Sequence, residues 1–351
     1  MPSYLRAYDT LFRENPRAAG QQWFRDAKIG LLVHYGLFSQ LGRGERVQFD
    51  QKIPVAEYAG LKRTFAPAGF DAAAICDLAV AAGARYVNLM AKAADGFALF
   101  RTNETEFNSL NSPARRDLVG EMAAACDERA LGFFVSYAYA QDWRHPYFYS
   151  LEYSLETGSL QWPDARPHYD VPQPEYLYRK EEEFLRYLQF SDAQLEEILY
   201  RHAPVAGVSL APAVGCYNAP DLFIPALTYE TIRAAQAHTL ISFEQGINGD
   251  EDFIAVDSTP GPHPQGGAMG ADAWERNQGK PVEIRASLQP MSFGYDERAE
   301  GQHRTTDDVM RLLDDAEKSN ANLLLNTALL PDGSLDTGDT ETLLEVGRRV
   351  A

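Results

Sequence analysis

His34 and Glu244 each follow directly on a short apolar run, IGLLV for the histidine and TLISF for the glutamate. A titratable side chain at the end of a buried strand is placed to move a proton. If both runs are parallel strands of one barrel, both groups arrive at its C-terminal rim, where barrel enzymes hold their catalytic residues. The plainer alternative for His34 is a ring tied to a backbone carbonyl. Glu45 and Arg46 lie in a glycine-rich turn, GRGER. The fixed charge of Arg46 suits a carboxylate-bearing ligand better than a neutral sugar. Otherwise the two are a solvated loop pair. Lys92, after the run RYVNLM, would pair with a substrate anion or with a neighbouring acid. Tyr137 and Tyr139 are two residues apart and share one strand face. Turned inward they line a pocket; turned outward they pack between strand and helix. The 7 histidines show no H-E-x-x-H and no other ligand spacing, so neither a metal nor another cofactor is expected.

These groups need a frame, and the alternation along the chain supplies one. Ile29–Val33, Arg85–Met90, Leu131–Tyr137, Val205–Leu210, Thr239–Phe243, Val282–Ala286 and Asn322–Asn326 read as strands, several of them apolar throughout, as strands buried on both faces must be. Phe70–Ala82, Arg116–Arg129, Glu181–Arg201 and Thr306–Ser319 read as amphipathic helices between them. Strand–helix–strand repeated in this way means parallel strands with right-handed crossovers. At 351 residues it favours a (β/α)8-like TIM barrel, not necessarily a regular one, over an open doubly wound sheet. No phosphate-binding glycine motif follows a strand. Two segments, 141–178 and 245–280, interrupt the rhythm and are expected as long βα-loops at the C-terminal face.

Composition narrows the partners. Lys and Arg total 32 against 50 Asp and Glu, a net charge of −18. That field repels phosphate backbones and anionic membrane surfaces, so neither nucleic acid nor membrane is an expected partner. A small-molecule substrate is, and the oligomeric state stays open. No run of 18 apolar residues exists to span a bilayer, and residues 1–20 lack a signal-peptide core, so a cytoplasmic location is expected. The 3 cysteines, Cys76, Cys126 and Cys216, form no C-x-x-C pair.

Seven blocks carry a resemblance. They are Trp23–Ser39 (WFRDAKIGLLVHYGLFS), Glu57–Phe65 (EYAGLKRTF), Phe70–Val87 (FDAAAICDLAVAAGARYV), Ala91–Phe100 (AKAADGFALF), Phe107–Glu121 (FNSLNSPARRDLVGE), Asp142–Pro146 (DWRHP) and Asn322–Gly333 (NLLLNTALLPDG). In this order, over about residues 21–350, the chain resembles family 29 glycoside hydrolases, the α-L-fucosidases. The resemblance implies a catalytic barrel, here a single domain over residues 1–351 with 1–20 as an N-terminal extension and no room for the C-terminal β-sandwich that usually follows.

The family's retaining hydrolysis uses a nucleophile and an acid/base, two carboxyl groups about 5–5.5 Å apart. The resemblance implies the nucleophilic Asp at the end of the fourth strand. Aligned on PVAGVSLAP, that place holds Ala211, which has no lone pair with which to attack. The family's paired sugar-binding histidines read Ala93 and Ala94, and Arg46 stands where a sugar-stacking Trp is expected. The family's Arg after the fifth strand is replaced near Gln245, and its acid/base Glu falls near Asp257. His34 survives, with Tyr35 in place of a Trp, and so do Glu45, Lys92, Asp95 and the DWRHP segment with Trp143. Cys216, beside the emptied nucleophile position, is a candidate replacement, although a lone Cys is more often inert.

The candidates are thus His34, Glu244 and Asp257 for catalysis. Tyr35, Glu45, Arg46, Lys92, Tyr137, Tyr139, Trp143 and Cys216 are candidates for binding. Three functions fit this pattern. The first is a repurposed enzyme performing acid/base cyclisation, elimination or isomerisation, for instance in secondary metabolism. The others are a fucosidase with a relocated carboxylate and a non-catalytic binding protein.

Overall fold

The apolar segments pair side by side as eight parallel strands in the computed structural model, which describes residues 1–152, 162–202, 204–257 and 259–351. The strands are β1 (Ile29–His34), β2 (Tyr86–Lys92), β3 (Gly132–Ala138), β4 (Gly207–Ala211), β5 (Leu240–Phe243), β6 (Ile254–Val256), β7 (Val282–Ser287) and β8 (Ala321–Ala328). Their order in the sheet is β5-β4-β3-β2-β1-β8-β7-β6. Two backbone hydrogen bonds bring the ends together: Asp252 N–H to the Ile241 carbonyl at 2.7 Å, and Ala255 N–H to the Glu244 carbonyl at 2.9 Å. The result is a nearly closed (β/α)8 barrel, the architecture the alternation implied.

Seven strands lie within two residues of the runs that predict them. The eighth, β6, has only three residues and falls inside segment 245–280, as does the helix Gly267–Arg276. That segment is therefore not one long loop. Three residues cannot display a period, so nothing in IAV marked it as a strand. Segment 141–178 lies partly outside the described residues.

Helix starts follow local chemistry. Asp71 accepts from Ala74 N–H at the head of Ala72–Ala81, and Asp117 accepts from Gly120 N–H at the head of Leu118–Glu128. Thr305 and Asp308 form a reciprocal capping box for Thr306–Lys318. The helix Pro16–Ala27, which no strand-like run announced, is capped by Asn15 and opens on a proline. No helix among the described residues is long and apolar enough to cross a membrane.

Strand parity divides the barrel interior into layers. At the N-terminal ends, Tyr86 and Phe134 point inward, and Trp23 and Phe24 of the helix Pro16–Ala27 close the opening beneath them. Ring centroids stand 6.2 Å apart for Trp23 and Phe134, 4.4 Å for Phe24 and Phe253, and 5.0 Å for Tyr86 and Phe134. Glycines make room for these rings. A Cβ on Gly30 would come within 2.2 Å of the Tyr86 ring, and one on Gly132 within 2.2 Å of Trp23. Higher up, polar side chains bond across strands, with the Ser136 hydroxyl donating to Asn88 at 2.9 Å and Asn326 donating to Ser287 at 2.9 Å. The same parity carries His34, Ala211 and Arg285 into the top layer.

Candidate active site

The C-terminal ends of the strands enclose a cavity of about 210 Å³. This is below the roughly 300–1,000 Å³ common for drug-sized ligands, so it suits one small molecule. His34 ends β1, Ala211 ends β4, Glu244 follows β5, Asp257 follows β6 and Arg285 lies in β7, and all five line the cavity. Glu45, Arg46, Ala93, Ala94, Tyr137 and Phe293 complete most of the wall.

Glu45 is brought in by backbone geometry. Gly42 and Gly44 adopt positive φ of 59° and 78°, which allows the tight GRGER turn. Gly44 N–H then donates to the Tyr295 carbonyl and Glu45 N–H to the Phe293 carbonyl, each at 2.9 Å. The carboxylate of Glu45 meets Nε2 of His34, while Nδ1 of His34, buried, has no partner among the described residues. Burial pushes the Glu45 carboxyl up, but His34, Arg46 and Arg285 together outweigh it and hold the group below its ordinary range.

Glu244 is shifted the other way. It turns out of β5 with a φ of 44°, uncommon for a residue with a Cβ, and accepts from Ala213 N–H at 2.7 Å. Burial raises its carboxyl above the usual value, and the neighbouring charges of Asp257 and Glu45 add to the effect. Arg285, 3.9 Å away, and the Ala213 amide offset only part of it. One cavity thus holds two carboxyls shifted in opposite directions, the kind of divergence that separates acid and base roles. Asp257 is exposed on the rim.

Of the expected site residues, His34, Glu45, Arg46, Tyr137, Glu244 and Asp257 meet at this cavity. Tyr35, Lys92, Tyr139, Trp143 and Cys216 do not, for a physical reason in each case. Tyr35 has the opposite parity to His34, so it packs against Phe65 and Phe70 and donates to the Pro331 carbonyl at 3.1 Å. Lys92 is fully buried against Asp142 at 2.9 Å and the Ala138 carbonyl at 3.1 Å, so of its two expected partners it meets the neighbouring acid and not a substrate anion, which corrects its place among the binding residues. Tyr139 donates or accepts with Thr228 at 2.7 Å. Trp143 is buried beside Phe49, with centroids 5.6 Å apart. Cys216 is buried, and burial raises its thiol far above the reactive range, with Glu244 and Glu251 adding to this.

Tyr137 and Tyr139 do share a face, but it turns away from the cavity. The Tyr137 hydroxyl bonds to Gln194 at 2.7 Å, and only its ring borders the pocket. Asp95 ties down its loop through the Tyr58 hydroxyl at 2.7 Å and Phe97 N–H at 2.9 Å.

Arg285 and Phe293 were not singled out from the sequence. A usable signal was present in VEIRAS, where charged residues occupy alternate positions of a strand that a barrel must bury. One His–Asp–Asp cluster of metal-ligating type occurs among the described residues: His303 lies 2.7 Å from Asp339 and 3.5 Å from Asp336. None of the three lines the cavity.

The fold and site can be set beside known proteins. The family model described as Alpha-L-fucosidase matches residues 6–350. Plasma alpha-L-fucosidase of Rattus norvegicus is 29% identical over 159 residues, covering 40% of this chain and 35% of that protein. Tissue alpha-L-fucosidase of the same species is 31% identical over 144 residues, covering 36% and 31%. These matches span about a third of the length of the curated relatives. Alpha-L-fucosidase isoenzyme 1 from Paenibacillus thiaminolyticus superposes with a TM-score of 0.72 at 26% identity, covering 96% of this chain and 76% of that one. An alpha-L-fucosidase from Lactobacillus casei holding its α-L-fucose product superposes with a TM-score of 0.74 at 24% identity, covering 94% and 98%.

Proposed function

Because the chain belongs to the alpha-L-fucosidase family, we propose that its barrel mouth takes a small hydroxyl-bearing molecule and transforms it by proton transfer, without first attaching it to the protein. The observation that carries this reading is the lining of the cavity. Ala211 ends β4 there, while Glu244 and Glu45, with oppositely shifted carboxyls, face the same space. In this reading Glu244 donates a proton and the ionised Glu45, steadied by His34, receives one. Cyclisation, elimination and isomerisation each need such a pair acting on a positioned substrate. Ala93, Ala94 and Ala211 present methyl groups to the pocket, beside the neutral polar groups of Ser136, Gln141 and Ser209.

Binding of a small molecule has a parallel in the family fold. An aspartate-to-alanine variant of the alpha-L-fucosidase AlfC is described in complex with Fuca(1,6)GlcNAc. A second reading, hydrolysis by a relocated carboxylate, draws support from Glu244 and Asp257 sharing one cavity.

Two measurements separate the readings. The first is intact-mass analysis after incubation with a 2-fluoro-fucosyl fluoride. The wild type should gain no fucosyl mass, whereas Ala211→Asp should gain one. An adduct on Glu244 or Asp257 of the wild type overturns the proposal in favour of hydrolysis. The second is proton NMR of free L-fucose and its nitrophenyl α-glycoside in deuterated water. Deuterium entering carbon positions, and lost in both His34→Ala and Glu244→Gln, supports proton transfer. Exchange unchanged in both variants ends it.

A further inference from the structure

A second cavity of about 520 Å³ lies against the other side of the same wall, and Asp257, Arg285 and Phe293 line both spaces. Two arginines dominate it. The Arg285 side chain is 13% exposed, and its nearest acidic oxygens are those of Glu283 at 3.8 Å and Glu244 at 3.9 Å. Both distances exceed a hydrogen bond, so its donors lack an acceptor in reach among the described residues. Arg304 spends Nε on the Ser287 carbonyl at 2.8 Å. Its two terminal nitrogens make no hydrogen bond or ion pair with the described residues. Lys318 adds a third cation at the rim, although it is tied to Asp315 at 2.9 Å.

In a chain of net charge −18, a hollow lined by Arg285, Arg304 and Lys318 against only Asp257 and Asp315 departs from the overall balance, and the terminal nitrogens of Arg304, free among the described residues, face it. A guanidinium fork matches an oxyanion and holds it through paired N–H donors. The mouth cavity has the opposite balance, with Glu45, Glu244 and Asp257 around Arg285 and Arg46. The second cavity carries one more cation than carboxylates, the mouth one more carboxylate than fixed cations.

We propose that the cavity formed by Arg285 and Arg304 is a subsite for an oxyanion, a carboxylate, sulfate or phosphate, carried by the molecule whose neutral part occupies the barrel mouth. Identifying the anion as part of that molecule rests on the function proposed above. The subsite itself does not, since it is tested by binding alone. Arg285 also balances the buried Glu283, so Arg304 is the position to vary.

Sodium sulfate, sodium phosphate and sodium acetate are titrated separately into the full chain by calorimetry, with chloride holding ionic strength constant. At least one should saturate, and which of the three binds identifies the anion. Arg304→Gln should weaken that binding tenfold or more, Arg304→Lys should recover part of it, and Arg13→Gln, an exposed arginine paired with Asp9 outside both cavities, should leave it unchanged. Absence of saturation with all three salts, or equal affinity in wild type and Arg304→Gln, overturns the proposal. Glu244→Gln should retain the anion, so failure of the proton-transfer reading would leave this result intact.

Discussion

The two ends of the barrel are built from the same eight strands and differ in almost every chemical respect. The lower end is a plug of interlocking aromatic rings, Trp23, Phe24, Tyr86, Phe134 and Phe253, with glycines beside them in β1 and β3. The upper end is lined by small residues and charges, with alanines at positions 93, 94 and 211 between His34, Glu45, Glu244 and Arg285. Packing density stabilises the first; the second keeps open space and imperfectly neutralised charge, both of which cost stability and serve chemistry. The contrast shows how the fold separates the two demands. A barrel can change its reactive rim without loosening the plug below it.

Substitutions can break or sharpen this contrast. The largest effect is expected from Phe134→Ala in the plug, which should cost about 3–5 kcal/mol in denaturant unfolding, as emptied aromatic sites generally do. Ala211→Asp at the rim should cost far less, and equal losses at the two sites would refute the division. Next comes Gly132→Ala, where the added methyl meets the Trp23 ring at 2.2 Å. Overpacking should cost about 1–3 kcal/mol and lower Tm measurably.

At the rim, the two glutamates should show opposite pH dependence. Glu45 is held below its ordinary range, so its contribution to stability is present above the usual glutamate value and is lost as pH falls through the lower folded one. Glu45→Gln should therefore destabilise near neutral pH, with the difference fading in acid. Glu244 is raised, so its favourable contribution exists only at low pH and is lost as pH rises through the folded value. Glu244→Gln should raise Tm near neutral pH and match the wild type in acid. Parallel pH profiles for the two variants would dissolve the proposed acid/base pairing. The smallest effect is expected from Arg46→Ala, a half-exposed cation paired loosely with Asp50 at 3.6 Å. Its stability should change by no more than about 0.5 kcal/mol.

Much of the frame was legible in order along the chain. IGLLV is apolar throughout, and LGFFVSY and NLLLN are apolar but for Ser136, Asn322 and Asn326, because both faces of a barrel strand are covered; these runs placed β1, β3 and β8. β6 escaped because three residues have no pattern to read.

The site was harder to read for a related reason. Strand ends can be recognised locally, so His34, Glu244 and the turn carrying Glu45 were found. Which of two adjacent residues faces the interior depends on the register with neighbouring strands, and a one-residue change exchanges inside for outside. Tyr35, next to His34, fell on the wrong side of that choice. Lys92 was lost to a partner, Asp142, that lies 50 positions away and meets it only in the folded barrel.

The sequence by itself determined the alternation, the cap residues and the chemical types available at the rim, because these depend on neighbours within a few positions. The tertiary structure alone decided that Arg285 stands between two cavities, that Glu45 is drawn to His34 by a loop following β7, and that the carboxyls of Glu45 and Glu244 are shifted in opposite directions. Those outcomes depend on desolvation and on charges brought together from distant parts of the chain, and neither exists until the barrel closes.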